Sequence, residues 1–416
     1  MTETLDAPAA PLEAGLTSYS GLTLHRRCPQ AWAYRHLRGL TRAEDEIAPW
    51  RDLGSWWHAL RAVDSIERGL SLGSLRYAPR RIRTTDNGPV LARHGEDTSG
   101  AIYRFESGRT FAPSPTVILD LASGWWAALS ADERDAWVET TGEDLPAALA
   151  RLDLSWRWRW RDDLPNEAPL GVEVRIERPM PRSTEMFKGY VDEVYEDTSK
   201  GLIVVRDHKA KKALPTMDTR DDLLDSQLHL YTWGVLPILT EWGFTPHATA
   251  YDRIRSAPPK QPQVTQAGTL SKSVTDYDVA TYLDWAAGGV PYPGRKKDGS
   301  DGGTYVAEAA VAERLRSPAV LTIWHQRTLV PLNGNIIRAH LLASADTLAD
   351  AQRTQARFAA TGQAAHNFGD ACRFCDFAAL CRAELIGGVE GEYPPEAYGL
   401  MLIQPRREPP ADPLPR

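Results

Sequence analysis

Apolar residues recur at helical spacing near the N-terminus. A capping-type start opens "TSYSGLTLHRRCPQAWAYRHL" at Thr17, and "GSWWHALRAVDSIERG" continues as a second helix containing His58. Residues 60 to 165 carry further helical patterns, such as "TVILDLASGWWAALSADERDAWV", and read as a helical insertion interrupted by a basic loop around Arg80. Within it, "SWRWRWRD" alternates Trp with Arg, which predicts a strand with three indoles on one face. Such a strand could stack on single-stranded DNA, although a half-buried position with a solvated Arg face accounts for it more simply. Strand patterns then cluster in "GVEVRIERPM", "FKGYVDEVYED" and "GLIVVRDHK", followed by a helix across "DDLLDSQLHLYTWGVLPIL" and a strand in "ATAYDRIR". Pro258 to about Tyr305 predicts a long loop with short structured pieces. A final amphipathic helix runs through "NIIRAHLLASADTLADAQRTQARFAA", and there is no internal repeat.

Composition narrows this α/β picture. The 416 residues are 42% hydrophobic, enough for a real core in one large domain or two ordinary ones. No apolar run approaches the roughly 18 residues of a membrane span, and the N-terminus is acidic and Ala/Pro-rich, which argues for the cytoplasm. A net charge of -7 speaks against a protein that merely coats nucleic acid, while leaving a nuclease open. Basic clusters do occur in "RYAPRRIR" and "GRKK", although solvated loops account for either. Residues 1–15 and the Pro-rich "PRREPPADPLPR" read as tails.

The central chemical signal lies in "FKGYVDEVYEDTSKGLIVVRDHKAKK". The turn residues of "DTSKG" predict a hairpin, and pairing across it brings Asp192 within about one residue of the position opposite Asp207. Period-two alternation puts Asp207 and Lys209 on one face with Ile203 and Val205. Two nearby carboxylates repel, and a hard divalent cation relieves them, so Mg²⁺ or Mn²⁺ is the natural occupant. Such an ion polarises a phosphodiester and activates water, while an adjacent lysine orients the nucleophile or steadies the transition state. Downstream, Gln227 and Tyr231 share a helix face in "QLHLY". Each piece alone is common; their order within forty-odd residues is not.

These motifs resemble the RecB-like branch of the PD-(D/E)xK nuclease superfamily, including the CRISPR-associated RecB-like exonucleases and phage-encoded relatives. The resemblance rests on "GSWWHAL" with His58, "GYVDEV" with Asp192, "VVRDHK" with Asp207 and Lys209, and "QLHLY" with Gln227 and Tyr231. It implies that His58, Asp192, Asp207 and the backbone carbonyl of His208 bind Mg²⁺ or Mn²⁺, that Lys209 is catalytic, and that Gln227 and Tyr231 lie beside the site. Asp207 stands where many members carry Glu. The implied fold is an α/β restriction-endonuclease-like core, a mixed central sheet flanked by helices. The implied activity is metal-dependent DNA exonuclease action in recombination, repair or phage DNA metabolism, in a bacterial or phage-infected cell. DNA is the implied partner, with a helicase or recombination protein beside it. A DNA-binding or adaptor subunit with weak catalysis is the alternative, opposed by the intact acid, acid and lysine set.

The chain has four cysteines: Cys28, then Cys372, Cys375 and Cys381 in "ACRFCDFAALCR". Four thiolates suit zinc or an iron–sulfur cluster, and the residues alone leave the two level. The resemblance supplies both a "CP" cysteine, matched by Cys28 in "RRCPQAWAY", and the C-terminal triplet, and so implies a 4Fe–4S cluster clasping the two ends. The expected organisation is a tail over 1–15, a nuclease domain over 16–386 with the insertion at 60–165 and an Fe–S segment at 367–386, and a tail over 387–416.

Overall fold

Helix starts are marked in the sequence by short polar side chains that accept hydrogen bonds from otherwise unpaired N–H groups. Ser18, Asp144 and Asp225 each do this, and Ser130 forms a reciprocal capping box with Glu133. The computed structural model describes residues 16–42, 48–78, 81–85, 88–92, 103–104, 110–111, 114–183, 185–215, 222, 224–260, 277–288, 309–387 and 394–402. They divide into two compact units. One holds the described residues among the first 46, those of 177–188 and those from 338 onward; the other holds the described residues of 47–176 and 189–337.

The terminal unit begins with β1 (Leu16–Ser18), α1 (Tyr19–Arg27), α2 (Pro29–His36) and β2 (Leu40–Arg42). Cys28 breaks the predicted single helix in two, because it is extended and Pro29 starts a new first turn.

The larger unit opens with α3 (Pro49–Leu72), capped by Gly73 in the left-handed region. The expected insertion boundary at residue 60 therefore falls inside this helix. Two short antiparallel ribbons follow: β3 (Arg81–Thr85) with β4 (Gly88–Ala92), and β5 (Tyr103–Arg104) with β6 (Thr110–Phe111). The basic stretch expected as a loop thus enters a strand at Arg81. Next come α4 (Pro115–Ala128), α5 (Ala131–Thr141) and α6 (Leu145–Trp160). The helical pattern over Thr116–Val138 forms two helices, divided by the cap at Ser130.

"SWRWRWRD" forms the end of α6 and the two residues after it, and not a strand. Its period of two coincides at Trp156 and Trp160 with the helical i,i+4 repeat, and both indoles are buried against Trp56, Trp57, Leu60 and Val63 of α3. The arginines between them make ion pairs or lie over Trp rings, so the stretch is packing rather than a DNA-stacking strand.

The sheet follows the predicted order. β7 (Glu167–Pro179) pairs with β8 (Met186–Asp197), which forms an antiparallel hairpin with β9 (Leu202–Lys211). Asp197 accepts from the backbone N–H of Ser199, Lys200 and Gly201, and Gly201 takes a positive φ of 65°, closing the turn as "DTSKG" foretold. Helix α7 (Ser226–Glu241) crosses over to β10 (Ala248–Arg255), which lies parallel to β9. Helices α8 (Val279–Ala287), α9 (Ala309–Leu315) and α10 (Pro318–Trp324) lead to β11 (His325–Pro331), antiparallel to β10. The result is a mixed sheet flanked by helices, consistent with a restriction-endonuclease-like fold.

Back in the terminal unit, α11 (Gly334–Thr361) precedes α12 (Ala378–Gly387) and β12 (Leu400–Leu402). β12 pairs antiparallel with β2 and buries Leu400, so ordered structure extends into the expected tail beyond 387. The expected 1–15 tail, "GRKK" and the residues after 402 lie outside the described residues. No helix among the described residues is long and apolar enough to cross a membrane.

Candidate active site

The hairpin register fixes the geometry. Glu193 pairs with Arg206 and Val194 with Val205, so one step beyond the ladder Asp192 stands across from Asp207. Asp192 Oδ2 accepts the backbone N–H of His208 at 2.8 Å and lies 3.2 Å from His58 Nδ1 of α3. Asp207 is almost wholly buried; Gln227 Nε2 donates to its Oδ1 at 2.9 Å and Lys209 Nζ lies 2.6 Å from Oδ2. Oδ2 has no well-aligned hydrogen bond despite that neighbour.

Helix α7 reaches the site through its first turn. Asp225 caps it by accepting the N–H of Gln227, which turns Gln227 toward Asp207. Tyr231, one turn on, lies against Gly189: a Cβ there would come within 3.0 Å of the Tyr231 ring. Gly234 likewise faces Ile176, whose Cδ1 would be 2.5 Å from an added Cβ. Glycine is needed at both places for the helix to lie this close to the sheet. The glycine of "GYVDEV" and the tyrosine of "QLHLY" are thus two sides of one contact.

The two carboxylates are electrostatically unlike. Burial disfavours the charge on Asp192, but His58, then Lys209, outweigh it and hold the acid well below the usual carboxylate range. Asp207 goes the other way: burial and then the charge of Asp192 push its pKa up, with Lys209 only partly compensating. Burial lowers and Asp192 more than restores the pKa of His58, and Lys209 is likewise raised by both acids against its own desolvation. A buried acid pair in which one member resists ionising is a site that a divalent cation stabilises, and oxygen donors on Asp192 and Asp207 fit a hard ion. Among the described residues, no three His, Cys, Asp or Glu side chains close to ligating distances as they stand. Each acid instead has His58 or Lys209 beside it. The imidazole of His208 is turned away from the acids, 3.3 Å from Glu193 Oε2.

Sequence reasoning missed what lies behind the acids. Arg206 is fully buried, with Nε and Nη2 on Glu193 Oε2 at 2.9 and 2.6 Å, and Nη1 on Glu167 and Asp252 at 2.8 and 3.1 Å. Arg327 of β11 pairs with the same Glu167 and Asp252. The signal that could have exposed the network is that Glu193, Arg206 and Asp252 all occupy inward positions by alternation.

In the terminal unit the cysteines gather around one apolar cluster. Cys28, Cys375 and Cys381 pack against Ala31, Tyr34, Leu40, Phe377 and Leu380, while Cys372 is exposed. The surrounding hydrogen bonds link distant parts of the chain: Gln30 to Ala364 and Ala365, Asn367 to Arg27, and Tyr34 and Arg38 to Glu384. Burial, then the charges of Cys28 and Cys375, push the Cys381 thiol up to about 11. Thiols that raise one another in this way suit a cationic centre shared among them.

A family model described as the PD-(D/E)XK nuclease superfamily matches residues 101–382, more than half the chain. The match takes in both carboxylates, Lys209, Gln227 and the cysteine triplet, and leaves His58 and Cys28 outside. No curated protein matches this chain.

Proposed function

The chain belongs to the PD-(D/E)XK nuclease superfamily, and on that premise we propose that it is a divalent-metal-dependent DNA exonuclease of RecB-like type. The observation that carries the reading is the facing pair Asp192 and Asp207 with Lys209 on the second acid. In this reading His58, Asp192, Asp207 and the main-chain carbonyl of His208 hold Mg²⁺ or Mn²⁺. When bound, the ion eases deprotonation of water and neutralises charge developing on the phosphate.

The chain's own groups divide the remaining work. Lys209, raised in pKa and therefore charged at neutral pH, holds a phosphate oxygen and lends charge to the transition state. Gln227 fixes the carboxylate plane of Asp207. Tyr231 fills the space over Gly189 that keeps α7 against the sheet. Water adds across the P–O bond; its oxygen joins phosphorus, its proton passes to the departing oxygen, and a phosphomonoester and a hydroxyl result. The exonucleolytic mode, and a role in recombination, repair or phage DNA metabolism with a helicase or recombination partner, follow from the likeness of the motifs.

Cys28, Cys372, Cys375 and Cys381 are assigned to a 4Fe–4S cluster of structural role, supported by the apolar seat that Cys28, Cys375 and Cys381 share. A cluster joining Cys28 to Cys381 would close most of the chain into a loop and so restrict the unfolded chain.

The test is cleavage of end-labelled linear DNA beside covalently closed circular DNA, with Mn²⁺, Mg²⁺ or EDTA, using anaerobically purified protein whose absorbance spectrum is recorded. Metal-dependent loss of the linear substrate alone, from a brown protein, is expected. Cutting of the circle would replace exonuclease with endonuclease, colourless zinc protein would overturn the cluster, and DNA binding without cleavage would assign the adaptor role instead.

A further inference from the structure

Resting on the nuclease reading, we propose that the buried Glu193–Arg206 pair is a positioning device for the metal site, setting the register that makes Asp192 face Asp207. The two residues are the last paired step of the β8–β9 ladder before the acids. Glu193 adjoins Asp192 and Arg206 adjoins Asp207, and alternation turns the pair to one face while the acids share the other. A slip of one residue would exchange these faces, burying the acids in the wrong environment and stranding an arginine.

The pair is anchored from several sides. Glu193 Oε2 takes both the Nε and Nη2 of Arg206 and lies 3.3 Å from His208 Nε2, and its Oε1 takes Arg68 of α3 at 3.4 Å. Arg68 is held in turn by Asp64, which also pairs with Arg61 one turn beyond His58. Arg206 reaches Glu167 on β7 and Asp252 on β10, so its guanidinium joins four strands once Glu193 is counted. The lattice therefore touches the neighbourhood of all three proposed side-chain ligands: His58 through α3, Asp192 through Glu193 and Asp207 through Arg206. A lysine at 206 keeps the charge but cannot supply two nitrogens to Glu193 and a third to Glu167 and Asp252.

Arg206→Lys and Glu193→Gln test this, with Glu143→Gln as a control that weakens an ion pair to Arg151 on the helical side, outside the lattice. Three quantities are read for each variant: Mn²⁺ binding by titration calorimetry, the Mn²⁺ concentration giving half-maximal cleavage, and the Tm. The expected result is about a 10- to 100-fold weaker Mn²⁺ affinity in both strand variants, as for groups that orient metal ligands. The control lowers Tm without moving the metal dependence. If folded Arg206→Lys and Glu193→Gln bind Mn²⁺ like the parent, the pair is merely structural and the proposal fails while the nuclease reading stands. If either variant does not fold, the other decides. A parent that binds Mn²⁺ but cleaves nothing sinks the nuclease reading and leaves the binding comparison to decide the proposal; a parent that does not bind Mn²⁺ overturns both.

Discussion

The candidate site residues were legible where a short-range rule fixed them. Asp207 and Lys209 share a face because strands alternate, Gln227 and Tyr231 because helices repeat, and Asp192 meets Asp207 because a hairpin turn sets the register. His58 was placed by resemblance alone, and its 3.2 Å approach to Asp192 depends on how α3 packs. Alternation puts Arg206 of "VVRDHK" on the buried face, but no local rule says that it will find three acids from three other strands, so the ionic lattice was only partly legible. A second residue-scale effect follows from burial. His325 is nearly inaccessible, with Nε2 on Ser155, and burial first, only partly offset by Asp278, lowers its pKa to about 4. Between that value and the ordinary 6.5 the unfolded chain binds a proton that the folded chain does not. Stability contributed by the neutral ring is therefore full above about pH 6.5 and lost as pH falls toward 4. In a thermal-melt series from pH 7 to 4.5, His325→Gln is expected to flatten the fall in Tm relative to the parent. Equal slopes in the two proteins would contradict this account of the histidine.

At the scale of elements, the strands of the central hairpin and the helix after it were legible from a single periodicity, whereas the break at Cys28 and the strand β11 were not. "SWRWRWRD" failed because a period of two and a period near four coincide at Trp156 and Trp160, and the choice between them depended on the ten residues before it. Those residues are capped by Asp144 and have helical spacing, so the helix simply continues. The close seating of α7 on the sheet was also hidden in sequence, since Gly189 and Gly234 acquire meaning only opposite Tyr231 and Ile176. Gly234→Ala is expected to force Ile176 from its place and destabilise the protein by about 1–3 kcal/mol. Because Gln227 rides on the same helix, cleavage should fall with it. A variant with parental Tm and activity in chemical denaturation and cleavage assays would show that the helix has room to spare.

For the molecule as a whole, the sequence revealed a central mixed sheet with helices around it, and two cysteine-bearing ends that come together. Hydrogen bonds from Gln30, Tyr34 and Arg38 to the chain beyond residue 360 join those ends independently of any cluster. The division into two units was not foreseen, because one of them is assembled from three separated stretches of chain. What unites these observations is one claim, that the hairpin bearing Asp192, Asp207 and Lys209 is a hydrolytic centre for phosphodiesters. The most direct measurement is Mn²⁺-dependent cleavage of end-labelled linear DNA by the parent, Asp207→Ala and Lys209→Ala, each shown to be folded by circular dichroism. Removing a group that stabilises transition-state charge costs about 100- to 1000-fold in rate, and both variants are expected to lose at least that much. Cleavage at the parental rate by either folded variant would contradict the claim.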